Sequence, residues 1–478
     1  MRTFFIISLA SLALCSFSQQ KSIESFISDS VMLHASVSFC VADANNGEVV
    51  TEYNSGKSLI PASVLKLITS AAALELLGSQ YIFKTTIGYT GSFNKRSGKL
   101  KGDIVIKGGG DPVLGSQYFK DHYQNFQDKW VSEIIKFGIK KIEGRVITDD
   151  SYYDFLPVPA KWLWEDAGNY YGAGAFGISV FDNTYEIHFK TSSDSTMLAI
   201  TQIVPEECRS EFSNWLVAAG TSDEGYVFAA PYSTSGWLAG SIPANMDDFV
   251  LKASIADPPS LIAKVINEKL LAEGISVSQE PTTFRLEKIF SHEKPVTITE
   301  TASPALSEII EVLNHESVNL FAEHLIKELG KKYRGTGSTI SGTEVILDFL
   351  NEAEVNTEGM FIEDGSGLSP LDAINARELV KLLVYMKNSG EFFKEYYASL
   401  PEAGKEGTLK SYFRDPVFDS RLRAKSGSMT RVRSYAGYIT TASDKKLAFA
   451  VIVNNFTGPS RDVISGIEEI LKEIILDN

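Results

Sequence analysis

Three short motifs of serine, lysine and asparagine lie at very unequal distances along this 478-residue chain. They are Ser63–Lys66 (Ser-Val-Leu-Lys), Ser317–Asn319 (Ser-Val-Asn) and Lys425–Gly427 (Lys-Ser-Gly). The serine of the second motif comes 254 positions after the first serine, and the lysine of the third motif follows 108 positions later. A single domain holds the shorter interval, but the longer one must include a domain-sized insertion if the motifs share a site. The spacing therefore predicts a domain that is split in sequence.

The first motif opens an apolar run with the boundaries of a buried helix. Ser63 follows Pro61, and the run at 67–77 is closed by Gly78. Because proline near the start and glycine past the end are typical of helices, we predict that Ser63 lies on the first turn and that Lys66 lies one turn later. An amine in an apolar pocket has a lowered pKa and can accept the serine proton. The alternative is a capping serine followed by a surface lysine.

The second and third motifs are predicted at exposed ends of regular structure. Residues 314–325 have the pattern of a loop that runs into an amphipathic helix, so Ser317 and Asn319 would project from the loop. A helix cap is the alternative role of Ser317. Lys425–Gly427 precedes a pair of alternating strands within 435–453, which predicts an edge strand where glycine lets a substrate backbone approach. An edge lysine also has an ordinary role in preventing strand association.

In this order, the motifs resemble the Ser-x-x-Lys, Ser-x-Asn and Lys-Ser/Thr-Gly signature of penicillin-binding proteins and class A β-lactamases. Nearly the whole chain resembles a D-alanyl-D-alanine carboxypeptidase/endopeptidase of the class C low-molecular-mass penicillin-binding proteins. Other stretches similar to that family are Gly108–Pro112, Asp149–Ser151 and Asp364–Ser369. One departure is Pro370, because several relatives have there an arginine that recognises a substrate carboxylate.

The resemblance implies an α+β fold. A penicillin-binding/β-lactamase-like transpeptidase domain, an antiparallel sheet with helices, would be split by a large, mostly β accessory insert. We divide the chain into a signal peptide (1–18), a first catalytic part (19–85), an accessory region (86–294) and a second catalytic part (295–478). Short β-like runs between Asp, Asn and Gly turns favour the β character of the accessory region. The apolar spacing at 463–475 predicts a helix packed on the catalytic sheet.

The resemblance also implies roles for individual residues in acyl transfer. Ser63 would be the nucleophile, Lys66 its general base, and Lys425 the positive charge that attracts the substrate carboxylate and keeps Lys66 deprotonated. Ser317 would relay a proton to the leaving amine, and Asn319 would hold Lys66 and the substrate peptide. The implied substrate-binding residues are Ser426, Gly427, Ser428, Asp166, Tyr171 and Met429. Backbone N–H groups of Ser63 and Ser428 would form the oxyanion hole.

A pocket for the third residue of the stem peptide is implied by Trp164–Gly172. This stretch is similar to one in which an aspartate, and an aromatic residue five positions later, line a pocket for an amino-bearing side chain. The match assigns Asp166 and Tyr171 to that pocket and makes Met429 its wall. An ammonium group seeks a carboxylate, which suits Asp166. A tryptophan-rich packing motif with a solvated aspartate is the alternative.

The implied function is that of a serine-type D-Ala-D-Ala carboxypeptidase and DD-endopeptidase. It would act on peptidoglycan stem peptides through an acyl-enzyme at Ser63 and bind β-lactams covalently. The alternatives are a β-lactamase, a D-peptide hydrolase of the same fold, and a non-catalytic protein that binds cell-wall peptides. The large insert argues against a β-lactamase, and the intact Ser63, Lys66 and Lys425 argue against a binding protein. The balance of the two peptidase activities, the third stem residue and the oligomeric state stay open.

The composition and the N-terminal sequence limit the possible partners of the protein and its cellular compartment. A formal charge of −15 argues against nucleic acid as a partner. Neither His-Glu-x-x-His nor paired Cys-x-x-Cys is present, so we predict no metal and no cofactor. Arg2, the apolar run at 4–15 and small residues before Gln19 are typical of a secretory signal, and the run is too short to span a membrane. We expect cleavage near Ser18, export to the periplasm or beyond, and no integral membrane span.

The three cysteines do not indicate a disulfide framework. Leu12–Cys15 has a partial likeness to a lipoprotein box, but Leu14 is bulky where a small residue is expected, so lipidation of Cys15 stays open. If Cys15 is removed with the signal, Cys40 and Cys208 remain. Two isolated buried thiols are the expectation, in preference to a bridge.

Overall fold

A computed structural model describes residues 21–193, 198–208, 211–289 and 294–478. The predicted signal peptide and Cys15 lie outside these residues. The strands, in chain order, are β1 (Ser36–Asp43), β2 (Val49–Tyr53), β3 (Lys84–Tyr89), β4 (Ser92–Asn94), β5 (Lys99–Lys101), β6 (Ile104–Lys107), β7 (Lys141–Ile142), β8 (Val146–Asp149), β9 (Thr184–Phe189), β10 (Ile200–Val204), β11 (Glu211–Asn214), β12 (Val217–Ala218), β13 (Glu224–Phe228), β14 (Ser235–Ile242), β15 (Phe249–Ser254), β16 (Ser276–Val277), β17 (Thr282–Thr283), β18 (Val296–Ala302), β19 (Leu422–Met429), β20 (Val432–Thr440) and β21 (Lys446–Asn454).

The α-helices are labelled in the same way. They are α1 (Lys66–Leu77), α2 (Phe126–Phe137), α3 (Pro258–Ala272), α4 (Phe284–Glu287), α5 (Leu306–Glu316), α6 (Asn319–Arg334), α7 (Thr339–Glu352), α8 (Ala376–Ser389), α9 (Phe393–Ala398) and α10 (Ser460–Asp477). Within the described part of the chain, no helix has an apolar stretch long enough to cross a membrane.

The chain forms two compact units, and each is interrupted in sequence. The first consists of Met1–Gln80, as far as it is described, with Leu306–Val318 and Thr339–Asn478. The second consists of Tyr81–Ala305 and Asn319–Ser338. A region inserted between the first two motifs is therefore present, as their spacing predicts. The boundaries 85/86 and 294/295 remain predictions.

A five-stranded antiparallel sheet organises the first unit. Its strand order is β19-β20-β21-β1-β2, so the strand with Lys425–Gly427 lies at the edge, as predicted. Alternate residues of the central strands, such as Phe39, Phe449 and Val451, face the helix α10 and form one buried apolar cluster with it. The predicted C-terminal helix is confirmed in this position. The helix α8 packs against β1 and β21.

The second unit contains four separate small sheets among its described residues. Their strand orders are β17-β8-β6-β3-β18, β16-β7-β5-β4, β10-β9-β15 and β11-β14-β12, with β13 also paired to β14. Parallel pairs such as β6 and β8 occur beside antiparallel ones. The insertion is therefore mostly β, with the helices α2, α3 and α4 in addition.

The helix α6 is buried along most of its length, including the charged residues Glu323, Lys327 and Glu328. Lys327 is fully buried and its ammonium group donates to the carboxylate of Asp154. The carboxylate of Glu328 accepts hydrogen bonds from Tyr81, Tyr152 and Tyr153 at 2.6–3.0 Å. Buried charges are tolerated only where they are paired in this way. The helix that begins at Asn319 is therefore fixed by polar contacts within the second unit.

Both described cysteines are free and buried, as the sequence analysis predicts. Burial raises the pKa of the Cys40 and Cys208 thiols to about 12, so both remain protonated at neutral pH.

Candidate active site

Ser63 lies in a short 3₁₀ turn, Ala62–Leu65, that leads directly into α1. The predicted helix at 67–77 and its end at Gly78 are confirmed, but the placement of Ser63 on the first α-helical turn is corrected. The reason is local, because Ala62 has a φ of +49°, a left-handed conformation that a regular helix does not allow. Such conformations concentrate at functional sites. Ser63 itself is half-buried.

Lys66 is fully buried, and its amine lies against the serine. The Lys66 Nζ atom is 2.9 Å from Ser63 Oγ and 2.7 Å from the carbonyl oxygen of Ser366. A buried amine between a hydroxyl and a carbonyl is well placed to take a proton from the hydroxyl. The surface-lysine alternative is therefore wrong.

The Asp-Gly-Ser-Gly-Leu-Ser segment forms a tight turn beneath this pair. The Asp364 carboxylate accepts hydrogen bonds from the backbone N–H groups of Ser366, Gly367 and Ser369 at 2.6–3.0 Å. Gly367 has a φ of +81°, and a Cβ atom there would lie 2.0 Å from the carbonyl oxygen of Ala62. The turn thus supports both the 3₁₀ turn of the serine and the carbonyl that contacts Lys66.

A Gly367→Ala variant is expected to lose about 2–4 kcal/mol of stability, since it combines a left-handed φ with an overlap against backbone. Because the overlap is with Ala62, acylation by penicillin should also fall more than tenfold. Gly56→Ala is the matched control, as a Cβ atom at Gly56 meets nothing within 4 Å. Denaturant unfolding and stopped-flow acylation measure the two effects. Equal stability of the two variants would contradict the proposed support.

Ser317 connects two helices. The loop predicted to run into a helix within 314–325 is short, because α5 continues to Glu316 and α6 begins at Asn319. A φ of +58° at Ser317 breaks the helical path and turns the chain. The hydroxyl group of Ser317 accepts a hydrogen bond of 2.9 Å from Lys425 Nζ.

Lys425 is the second buried amine of the first unit. Its Nζ atom also donates to the carbonyl oxygen of Ser426 at 2.9 Å. Burial, and then the charge of nearby Lys66, hold the pKa of Lys425 well below its usual range. The two amines therefore do not both carry a proton readily.

The edge strand β19 runs directly beside the serine. A Cβ atom at Gly427 would lie 2.8 Å from the Pro61 carbonyl oxygen and 3.0 Å from the Ser63 nitrogen, so the strand approaches closely only because this residue is glycine. The Ser426 hydroxyl group donates to Thr408 Oγ1 at 2.7 Å. Thr408 was not predicted, and nothing in its sequence neighbourhood distinguishes it.

The end of β19 carries Ser428, which is exposed, and Met429, which is half-buried. The Arg433 guanidinium donates to Ser428 Oγ and to the Met429 carbonyl oxygen. Arg433 also donates to Ser460 Oγ at 2.8 Å, which fixes its position. Arg433, on the neighbouring strand β20, thus places a cation beside the end of β19, a feature that the sequence analysis missed.

Three predicted site residues belong to the second unit. The Asn319 amide donates to the carbonyl oxygen of Tyr171 at 2.9 Å. Asp166 is buried and accepts a hydrogen bond from the Tyr171 side chain. Burial raises the pKa of Asp166, and the hydrogen bond partly opposes that shift. The first unit therefore brings together Ser63, Lys66, Ser317 and Lys425–Met429, and the second brings together Asp166, Tyr171 and Asn319.

The profile of the D-Ala-D-Ala carboxypeptidase 3 (S13) family matches residues 19–474. The chain belongs to this family. The predicted resemblance, and the predicted serine-type D-Ala-D-Ala carboxypeptidase/endopeptidase function, are confirmed by that membership.

Individual relatives agree with the family assignment. The D-alanyl-D-alanine carboxypeptidase of Actinomadura sp. (strain R39) is 27% identical over 92% of this chain and 82% of its own. The D-alanyl-D-alanine carboxypeptidase DacB of Haemophilus influenzae is 22% identical over 88% of this chain and 86% of its own. The crystal structure of penicillin binding protein 4 (dacB) from Haemophilus influenzae covers 92% of this chain and 96% of its own, with a TM-score of 0.79 at 20% identity. The predicted α+β fold class is thereby confirmed.

Proposed function

We propose that Ser63 is the nucleophile of this D-Ala-D-Ala peptidase and that Lys66 is its general base. The observation that carries the proposal is the 2.9 Å contact between Ser63 Oγ and the amine of a fully buried lysine. A serine hydroxyl group attacks a carbonyl only when a neighbouring base removes its proton. Lys66 is the amine within reach.

During acylation, the hydroxyl proton of Ser63 is transferred to the leaving amine. Ser63 Oγ forms a bond to the carbonyl carbon of the penultimate D-Ala as its proton passes to Lys66. The proton that Lys66 has taken then passes through Ser317, which contacts Lys425, to the nitrogen of the terminal D-Ala as the C–N bond breaks, so Lys66 is neutral again. Water hydrolyses the acyl-enzyme and returns Ser63 to its hydroxyl form.

Substrate binding follows from the edge strand. The stem peptide adds along β19, whose glycine at position 427 lets the strand lie close to Ser63. Ser426 and Lys425 bind the terminal carboxylate, and this negative charge favours the protonated form of Lys425, which leaves Lys66 neutral. Backbone N–H groups of Ser63 and Ser428 stabilise the developing oxyanion. Arg433 adds positive potential beside Ser428. This cation would serve in place of the arginine that several relatives have at the position of Pro370.

The assay that tests this function combines D-Ala release from a pentapeptide, cleavage of a cross-linked peptide and labelling by a fluorescent penicillin. Release of D-Ala with a stable penicillin label is expected. The penicillin binding protein 4 of Haemophilus influenzae has been solved with a β-lactam, which supports this expectation. Rapid turnover of nitrocefin without stable label would favour a β-lactamase, and no label or turnover would favour a binding protein.

Asp166 is proposed to bind the amino group of the third stem residue, with Tyr171 beside it. An arriving ammonium group would pair with a buried carboxylate whose hydrogen-bond partner already orients it. Asp166→Asn is expected to lower kcat/KM about 10–100-fold for stem peptides with a free amine, relative to acetylated ones, the loss of one charge-assisted contact. Steady-state kinetics on the matched peptides measure the ratio, and an unchanged ratio would remove Asp166 from the pocket.

We also propose that the enzyme works outside the cytoplasm, in the periplasm or beyond, because its substrate is there and its N-terminus has the pattern of a signal. Peptide mapping of the N-terminus of the exported protein tests cleavage near Ser18.

A further inference from the structure

An aromatic groove on the second unit has no part in the chemistry described above. It lies on the outer face of the sheet formed by β11, β14 and β13, and its volume is about 960 Å³. In this sheet, Trp237 stands between Ser213 and Phe228 in one cross-strand row. Leu238 and Val227, their neighbours along the strands, are buried on the opposite face. The alternation of the strands thus separates an apolar inner face from an aromatic outer one.

Three of the five tryptophans of the chain line this groove with their rings accessible. Trp215 is 72% exposed, Trp164 54% and Trp237 40%. The Trp237 ring stacks on Phe228 at a centroid distance of 5.3 Å, and Trp164 lies 5.8 Å from Trp237. Large exposed aromatic surfaces are unusual on a protein and mark sites of interaction.

The rest of the lining indicates the chemistry of the occupant. Hydroxyl groups come from Ser213, Ser233 and Ser235, and Glu211 is the one charged residue among the described lining residues. None of the described residues that line the groove is leucine, isoleucine, valine, methionine or arginine. Protein interfaces are enriched in methionine and arginine beside their aromatic residues, so a protein partner fits this lining less well.

We propose that this groove binds the glycan strand of peptidoglycan. A pyranose ring has an apolar C–H face, which stacks on an aromatic ring, and an edge of hydroxyl and acetamido groups, which bond to serine hydroxyls and backbone. In intact peptidoglycan, the lactyl carboxyl groups are amide-bonded to the stem peptides, so the strand itself carries no charge. Removal of the peptides by an amidase exposes these groups as carboxylates. The inference rests on the proposed function, because the stem peptides of the substrate are attached to such a strand. The groove would hold the enzyme on its polymer while the peptides are cleaved.

The test uses the full chain and two glycan probes. The probes are an N-acetylglucosamine tetramer and insoluble peptidoglycan whose stem peptides have been removed by an amidase. Trp215→Ala removes the most exposed ring of the groove, and Tyr333→Ala removes an exposed aromatic side chain elsewhere in the same unit. We expect the wild type and Tyr333→Ala to bind both probes, and Trp215→Ala to bind at least tenfold more weakly. Tryptophan fluorescence and sedimentation with the polymer measure binding.

Two results would overturn the inference. One is failure of the wild type to bind the stripped glycan, and the other is equal binding by Trp215→Ala. A dimer that Trp215→Ala dissociates, without glycan binding, would assign the groove to a second copy instead. Penicillin labelling of the wild type is recorded in parallel, so a failure of the peptidase function appears as missing label and is distinguishable from a failure of glycan binding. Circular dichroism of Trp215→Ala tests whether the variant is folded, so that weak binding is not mistaken for unfolding.

Discussion

A Ser63→Ala protein is expected to form no covalent adduct with penicillin and to release D-Ala about 10⁶-fold more slowly than the wild type, the scale of loss when a hydrolase nucleophile is removed. The reason is that the Lys66 amine then contacts a methyl group in place of the hydroxyl group proposed as the nucleophile. Intact-mass spectrometry after incubation with penicillin detects the adduct, and a coupled assay follows D-Ala release.

Ser70→Ala provides the matched control, on the helix α1 that follows the turn of Ser63. Ser70 is also buried, but its hydroxyl group makes only long contacts, 3.3 Å to the Leu67 carbonyl oxygen and 3.4 Å from Asn314. This variant is expected to keep its adduct. A penicillin adduct on Ser63→Ala, located by peptide mapping to another residue, would refute the assignment of the nucleophile.

The sequence predicted contacts that depend on local geometry. Ser63 lies in a 3₁₀ turn and Lys66, three residues later, begins the helix that follows, and this spacing brings their side chains to one face. The edge position of Lys425–Gly427 followed from the hairpin that comes after it. In each of these cases, the partner is a near neighbour in the chain or in the same hairpin.

Contacts between distant parts of the chain were not predictable in the same way. The carbonyl group that contacts Lys66 belongs to Ser366, 300 positions away. Because every residue has a backbone carbonyl group, the residue type does not indicate this contact. The family resemblance pointed to Asp364–Ser369 without indicating what the segment does. Periodicity also predicted an amphipathic helix near Asn319, whereas some polar residues of α6 are buried, among them Lys327 and Glu328, which have partners elsewhere in the second unit.

The second large effect is expected from Lys66→Met. Methionine keeps most of the length of the side chain but removes the amine that contacts Ser63 and the Ser366 carbonyl group. Acylation by penicillin should slow by about 10²–10⁴-fold, the usual contribution of a general base. Lys57→Met is the control, because Lys57 is an exposed lysine of the same unit, and its amine donates to Ser36 Oγ at 3.1 Å. Stopped-flow fluorescence gives the acylation rates.

The pH dependence of acylation separates a catalytic loss from a structural one. Each lysine binds a proton as the pH falls, and burial together with the charge of Lys66 holds the pKa of Lys425 below its usual range. Once both amines are protonated, no base remains, so the wild-type rate should fall tenfold per pH unit below the lower pKa of the pair. Lys66→Met should lack this acid limb, because its residual rate no longer requires a neutral amine. In that variant the pKa of Lys425 should also rise, since the repelling charge is gone. Equal acid limbs in the two proteins would contradict Lys66 as the base, whatever the size of the rate loss.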